Sequence, residues 1–287
     1  MLQQSCLKIR VDGRVIEARQ GENLLELLKA NGFRIPTLCY HPGLPSYGSC
    51  RLCTVQVQEG RKESLVTSCT YPVREEGMEV FTSPEEVVKL RKMIIKLLLA
   101  RVPSAEVLGE LAEEYGVEPE ERMVKGPGKE KASSKKGRPG SEDNIGEEEK
   151  EKCILCGLCV RACNEALRKN AISFTFRGIN REVAPPLHLP PEECTGCGAC
   201  SQVCPTGAVY TRVSGDKVEV YPWGAEKSMV RCPECGREHF TGQLVQEVDA
   251  VFSSNYPEND LRRYVNLCQK CKRRASANKW TGGSQKF

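Results

Sequence analysis

The sequence predicts an α+β protein assembled from several small, metal-stapled modules, and three observations lead there. Seventeen cysteines in 287 residues are far more than core packing needs. They recur in C-x2-C steps, the pattern of metal ligation rather than of secreted disulfides. Short strand signals broken by Asp-Gly and Glu-Gly turns alternate with short helical runs. With 39% hydrophobic and only 6% aromatic residues the chain can pack cores, and modules this small commonly draw stability from metals. The formal net charge of +4 is too mild to make nucleic acid or a membrane surface the main partner. The start, MLQQSCLKIRVDG, has neither an apolar signal region nor a twin-arginine run before one. The most apolar segment, Val87 to Leu99, carries Lys89, Arg91, Lys92 and Lys96 and is too short to span a bilayer. A cytoplasmic protein without membrane insertion is expected.

The first module is expected over residues 1–83. SCLKIRV and VIEAR read as two strands joined by Asp12-Gly13, a strong hairpin signal. Asn23 can cap the helix LLELLKANG and Gly32 can end it. Cys39, Cys50 and Cys53 follow; then come the strand-like TVQVQ, a turn at Glu59-Gly60, and Cys69. Two strands, a helix, a cysteine loop and a further hairpin outline a β-grasp ferredoxin. The spacing C-x10-C-x2-C-x15-C lengthens the first loop of the plant-type [2Fe-2S] pattern. Cys6 falls in the first strand, where a small buried thiol is expected.

Residues 84–123 are expected to be a helical connector. One helix should run from about Glu85 to Ala100 with Val87, Leu90, Ile94 and Leu98 on its packing face, and a second from Ala105 to Tyr115. Residues 124–152 are low in complexity, basic in the first half and acidic in the second, with Gly, Ser and Pro throughout. This is the composition of a flexible linker. A partner would then be needed to hold the flanking modules close together. A docking role for the basic half is the sharper alternative.

Residues 153–222 hold the most specific motif. Cys153, Cys156, Cys159 and Cys163, then Cys194, Cys197, Cys200 and Cys204, each spell C-x2-C-x2-C-x3-C, the second followed by Pro205. This is the bacterial two-cluster spacing, in which the fourth cysteine of each run serves the other cluster. One [4Fe-4S] cluster is therefore assigned to Cys153, Cys156, Cys159 and Cys204, and its twin to Cys163, Cys194, Cys197 and Cys200. A disulfide framework or zinc knuckles are the competing readings. Gly157, Gly196 and Gly198 suit backbone that passes close to a cluster.

Strand-like AVYTRV and KVEVYPW come next, and residues 223–287 are expected to form a small zinc-ribbon-like module. Its Cys232/Cys235 pair and its Cys268/Cys271 pair are separated by 32 residues. Two C-x2-C knuckles are the ligand set of a closed structural zinc site. A further [4Fe-4S] cluster is the alternative, although cubane motifs bring three cysteines close in sequence. His239 is expected at the surface.

The run IPTLCYHPGLPSYGSCRLCTVQV resembles the N-terminal [2Fe-2S] domain of the large iron–sulfur subunit of respiratory NADH dehydrogenase, and of diaphorase subunits of NAD-linked hydrogenases and formate dehydrogenases. KCILCGLCVRAC and CTGCGACSQVCPTGAV resemble the dicluster domain of the same family, in the family's order. The resemblance implies that Cys39, Cys50, Cys53 and Cys69 hold the [2Fe-2S] cluster. It implies an electron-relay subunit of a multisubunit oxidoreductase, with a flavoprotein NADH-oxidising subunit on one side and a catalytic oxidoreductase subunit on the other. The complex-type members carry a further site of one histidine and three cysteines between these blocks. Residues 70–152 hold no cysteine and no histidine, so that cluster is missing here. Nothing reads as a substrate site: no G-x-G-x-x-G follows a strand, and there is no P-loop. Two other classes remain, a redox-sensing or scaffold iron–sulfur protein and a hydrogenase-like enzyme.

Overall fold

The computed structural model describes residues 6–118, 152–255 and 264–280. The charged segment 124–152 lies outside these except for its last residue.

The first five strands are β1 (Cys6–Val11), β2 (Arg14–Arg19), β3 (Thr54–Glu59), β4 (Lys62–Thr67) and β5 (Glu79–Phe81). They form one sheet in the order β2-β1-β5-β3-β4, with β1 and β5 parallel and the other pairs antiparallel. Helix α1 (Leu24–Ala30) lies against one face. Strand alternation sends Ile9, Val11, Ile16 and Ala18 inward, onto Leu24, Leu25, Leu27 and Leu28 of the helix. Asn23 caps α1 as its residue type suggests, its side chain accepting from the Leu25 and Glu26 N–H groups. Cys6 departs from expectation because it is exposed. It has the opposite parity to Ile9 and Val11, so the same period that buries them turns it to solvent.

The connector is helical as expected, α2 (Glu85–Arg101) followed by α3 (Glu106–Glu114). The buried row of α2 is Val87, Arg91, Ile95 and Leu99, one step round from the expected Val87, Leu90, Ile94 and Leu98. Leu90, Ile94 and Leu98 are only half-buried. The rotation places the Arg91 guanidinium where it reaches the carbonyl oxygens of Leu52 and Thr54. Hydropathy alone would have kept that side chain outside.

The second core joins what the sequence separates. Leu38, Leu44 and Leu52 of the first module pack with Ile95, Leu99 and Leu108 of the connector and with Ile154, Leu158 and Ala162 beyond the charged segment. The two cluster modules therefore share one apolar core. The expectation that a partner must fix them together is corrected: packing within the chain suffices.

Helix α4 (Leu158–Arg161), the antiparallel pair β6 (Ser173–Thr175) and β7 (Glu182–Ala184), and α5 (Ala199–Gln202) carry the two four-cysteine runs. Strands β8 (Tyr210–Ser214), β9 (Lys217–Tyr221), β10 (Ala225–Arg231) and β11 (Glu238–Thr241) form a second sheet in sequence order, which continues across residue 222. Helices α6 (Gly242–Asn255) and α7 (Gln269–Trp280) follow. No helix among the described residues is long and apolar enough to cross a membrane.

Candidate iron–sulfur and metal centres

The first site lies in the loop between α1 and β3 and at the end of β4. Cys39, Cys50, Cys53 and Cys69 are all buried, and they stand as two pairs. The Cys50 backbone N–H donates to the Cys39 sulfur at 3.3 Å, and the Leu38 N–H donates to the Cys50 sulfur at 3.5 Å. The Cys53 and Cys69 sulfurs are 3.3 Å apart. Hydrogen bonding from its Cys50 partner, aided by backbone N–H groups and the Arg161 charge, brings the Cys39 thiol down to about 6. The Cys69 thiol acts likewise on Cys53, bringing it to about 7. The other member of each pair is driven up by the thiolate it faces and by burial. In each pair one thiol gives up its proton more readily than the other, and metal binding would displace the protons that remain.

Loop geometry follows from a few residues. Arg51 sits at φ 61° and Gly48 at φ 68°, letting the chain double back between Cys39 and Cys53. A Cβ on Gly48 would stand 3.2 Å from the Thr70 methyl. The long first loop also does a second job: its Leu44 enters the shared core and its Pro45 carbonyl accepts from Arg161 on α4.

Cysteines of the two repeats raise one another's thiols. Burial pushes Cys156 up to about 12 against a backbone N–H from Leu158, with Cys204 and Cys153 adding to the rise. Burial also raises Cys159 well above its ordinary value, with Cys156, Cys153, Cys200 and Cys204 adding to it. Cys200, raised by burial to about 12, feels Cys197, Cys194 and Cys163. Cys194 is raised by burial, with Cys197 and Cys163 behind it. The two repeats adjoin in a small core that holds Cys159 with Cys163, Cys194, Cys200 and Cys204 packed against it. The first also reaches back to the N-terminal site, because Cys39 contributes to the rise of Cys156. The indole N–H of Trp223 is buried without a nitrogen or oxygen acceptor and faces the Cys200 sulfur. Such an orphaned donor suits a sulfur-rich group held by these cysteines.

Glycines make room at both repeats. Gly157 has φ 76°, and a Cβ there would come within 3.1 Å of the Phe174 ring. Gly196 has φ 69°, and its Cβ would meet the Thr241 methyl at 2.9 Å and Lys227 at 3.2 Å. Strands β10 and β11 therefore clamp directly onto the loop from Cys194 to Cys197. A bond from the Thr241 hydroxyl to the Thr195 carbonyl strengthens that clamp.

The C-terminal site is tighter than the others. The sulfurs of Cys232, Cys235, Cys268 and Cys271 all lie within 4.8 Å of one another, and Cys235 and Cys268 are 3.6 Å apart. Four sulfurs around one tetrahedral zinc at about 2.3 Å are separated by about 3.8 Å. A cube of iron and sulfide would hold them further apart, so this cage has the size for a single ion. Against the upward push of burial, the backbone N–H groups of Cys268, Cys235 and Glu234 bring Cys232 down to about 6. That favours the thiolate a metal requires. His239 does not join the ligand cluster; its Nε2 lies 2.9 Å from the Asn266 carbonyl.

Sequence reasoning missed two residues at the first site, Arg91 and Arg161, both buried. Arg161 donates to the carbonyls of Cys39, at 2.9 Å, and Pro45, and its guanidinium lies over the Tyr47 ring. The available signal was an arginine inside an otherwise apolar run, as at Arg91 within Val87 to Leu99.

Comparisons with known proteins agree with this layout. Residues 4–85 match a family described as a 2Fe-2S iron-sulfur cluster binding domain, and residues 152–208 match a 4Fe-4S dicluster domain. The NADP-reducing hydrogenase subunit HndD of Solidesulfovibrio fructosivorans is 34% identical over 71% of this chain and 36% of its own length. A subunit of the NADH-quinone oxidoreductase of Rhizobium meliloti is 28% identical over 80% of this chain and 27% of its own. A solved NAD+-reducing [NiFe]-hydrogenase in the H2-reduced state matches 63% of this chain and 75% of its own, at 27% identity and a TM-score of 0.48. The chain thus spans about a third of the length of the curated relatives it matches.

Proposed function

We propose that this chain, a relative of the iron–sulfur subunits of NAD(P)-linked oxidoreductases and hydrogenases, is the electron-relay subunit of a multisubunit cytoplasmic oxidoreductase. In this reading Cys39, Cys50, Cys53 and Cys69 hold a [2Fe-2S] cluster, with Cys39/Cys50 on one iron and Cys53/Cys69 on the other. Cys153, Cys156, Cys159 and Cys204 hold one [4Fe-4S] cluster, and Cys163, Cys194, Cys197 and Cys200 hold the second. The C-terminal four cysteines hold a structural zinc in a ribbon-like module. Clusters at these positions supply reversible one-electron redox chemistry. The protein's part is to bury the thiolates, direct backbone N–H groups at them and keep neighbouring sites close.

The observation that carries the reading is how the cysteines of the three sites pack together. Cys39, Cys50 and Cys156 lie in one buried core, and Cys159 lies in the next with Cys163, Cys194, Cys200 and Cys204 packed against it. Three sites in a row, joined through two adjoining cores, favour a fixed wire over three unrelated staples. A flavoprotein that oxidises NAD(P)H at one end and a catalytic subunit at the other are the partners this implies.

Anaerobic purification followed by metal analysis and EPR tests the assignment. About ten irons and one zinc per chain are expected, with one [2Fe-2S] and two [4Fe-4S] signals after reduction. Zinc alone would end the relay reading. About fourteen irons without zinc would make the C-terminal site a cluster instead.

A further inference from the structure

Arg91 and Arg161 are the only buried charged side chains among the described residues, Arg91 completely so, and neither meets a carboxylate there. Burying a guanidinium without a counter-charge is strongly unfavourable, so the negative charge has to come from elsewhere. Arg91 donates from Nε to the Leu52 carbonyl at 3.0 Å and from Nη2 to the Thr54 carbonyl at 2.8 Å. Those two residues flank Cys53. Its Nη1 reaches the Tyr115 hydroxyl at 3.2 Å and Ser83 Oγ at 3.5 Å. Arg161 donates to the carbonyl of Cys39 itself and to that of Pro45, leaving its buried Nε without a partner. One arginine therefore serves each cysteine pair of the first site, each delivered by a different helix. Both guanidinia grip the backbone that carries Cys39 and Cys53, where a cluster held by those cysteines would bring negative charge.

We infer that Arg91 and Arg161 are positioning residues that act as the counter-charges of the [2Fe-2S] centre and raise its reduction potential. This rests on the relay reading of that site. Reduction adds one electron, and so one negative charge, to the centre. Fixed cations favour the reduced form more than the oxidised one. Guanidinium stays protonated throughout, so no proton accompanies the electron. Arg161 arrives with the dicluster segment, so the centre reaches its full potential only in the docked molecule.

The test is an EPR-monitored redox titration of the full chain, purified anaerobically with its clusters and poised with dithionite and mediators. Arg91→Gln and Arg161→Gln are each expected to lower the [2Fe-2S] midpoint. At a fixed poise the ratio of reduced to oxidised centre should fall at least tenfold, about 59 mV for one electron. Arg91→Lys and Arg161→Lys keep the charge and should stay within about threefold of the parent ratio. Arg61→Gln, on the exposed β3–β4 turn, should not move it. Cluster-loaded Gln variants with an unchanged midpoint overturn the inference. Where a Gln variant fails to retain the cluster, the Lys variant decides: a parent-like ratio supports the counter-charge role, and a tenfold fall overturns it. A parent chain that shows no [2Fe-2S] signal defeats the relay reading itself, an outcome distinct from either.

Discussion

Asn23 ties a helix to a cluster loop through one side chain. Its Oδ1 accepts from the Leu25 and Glu26 N–H groups, and its Nδ2 donates to the Cys69 carbonyl at 2.6 Å. Asn23→Ala should cost about 1 kcal/mol as a lost cap and loosen the Cys69 turn besides. Asn23→Asp keeps the cap but sets an acceptor against the Cys69 carbonyl. Thermal unfolding of the loaded protein should fall for both variants, with the [2Fe-2S] absorbance bleaching before global unfolding. If Asn23→Asp matched the parent, the Cys69 bond would be unimportant. The cap was legible in the sequence because its partners are two and three residues away. The Cys69 bond, 46 residues distant, was not. Cysteine spacing likewise pointed to the site residues, since ligand geometry limits the gaps. The arginines that grip the carbonyls around them have no such local rule.

At the scale of elements, α2 is the informative case. Its existence and length could be read from periodicity, but its rotation could not. Leu90, Ile94 and Leu98 were as good a stripe by hydropathy as Val87, Ile95 and Leu99. The choice is made by Arg91 reaching two backbone acceptors in the cysteine loop, a tertiary contact that overrides the local pattern. Ile95 is fully buried, whereas Ile94 is partly open. Ile95→Ala should therefore destabilise by about 2–5 kcal/mol and Ile94→Ala by distinctly less. Chemical denaturation of the anaerobic protein resolves the two, and the reverse order would mean that the helix is turned as the sequence alone suggested. The β1–β2 hairpin, by contrast, formed where Asp12-Gly13 placed it, because a turn of two residues leaves little for distant contacts to decide.

For the whole molecule, the point hardest to foresee was the shared core. The charged segment 124–152 reads as a tether between independent modules, yet Leu38, Leu44 and Leu52 pack against Ile154 and Leu158 across it. Arg101 adds a bond to the Cys153 carbonyl at 2.9 Å. Such contacts join apolar residues that look like ordinary core on each side, so nothing in either stretch announces its partner. Cleaving an engineered protease site placed within 124–152 should leave the two halves co-eluting in size-exclusion chromatography at micromolar concentration. Separation of the halves would show the connection to be the tether alone. The closeness of the sites is also what makes a relay possible, and spin relaxation reports it directly. Pulsed EPR should find the reduced [2Fe-2S] centre relaxing faster when the [4Fe-4S] centres are also reduced than when they are poised oxidised. Relaxation that is the same in both states would place the centres too far apart to interact and contradict the account.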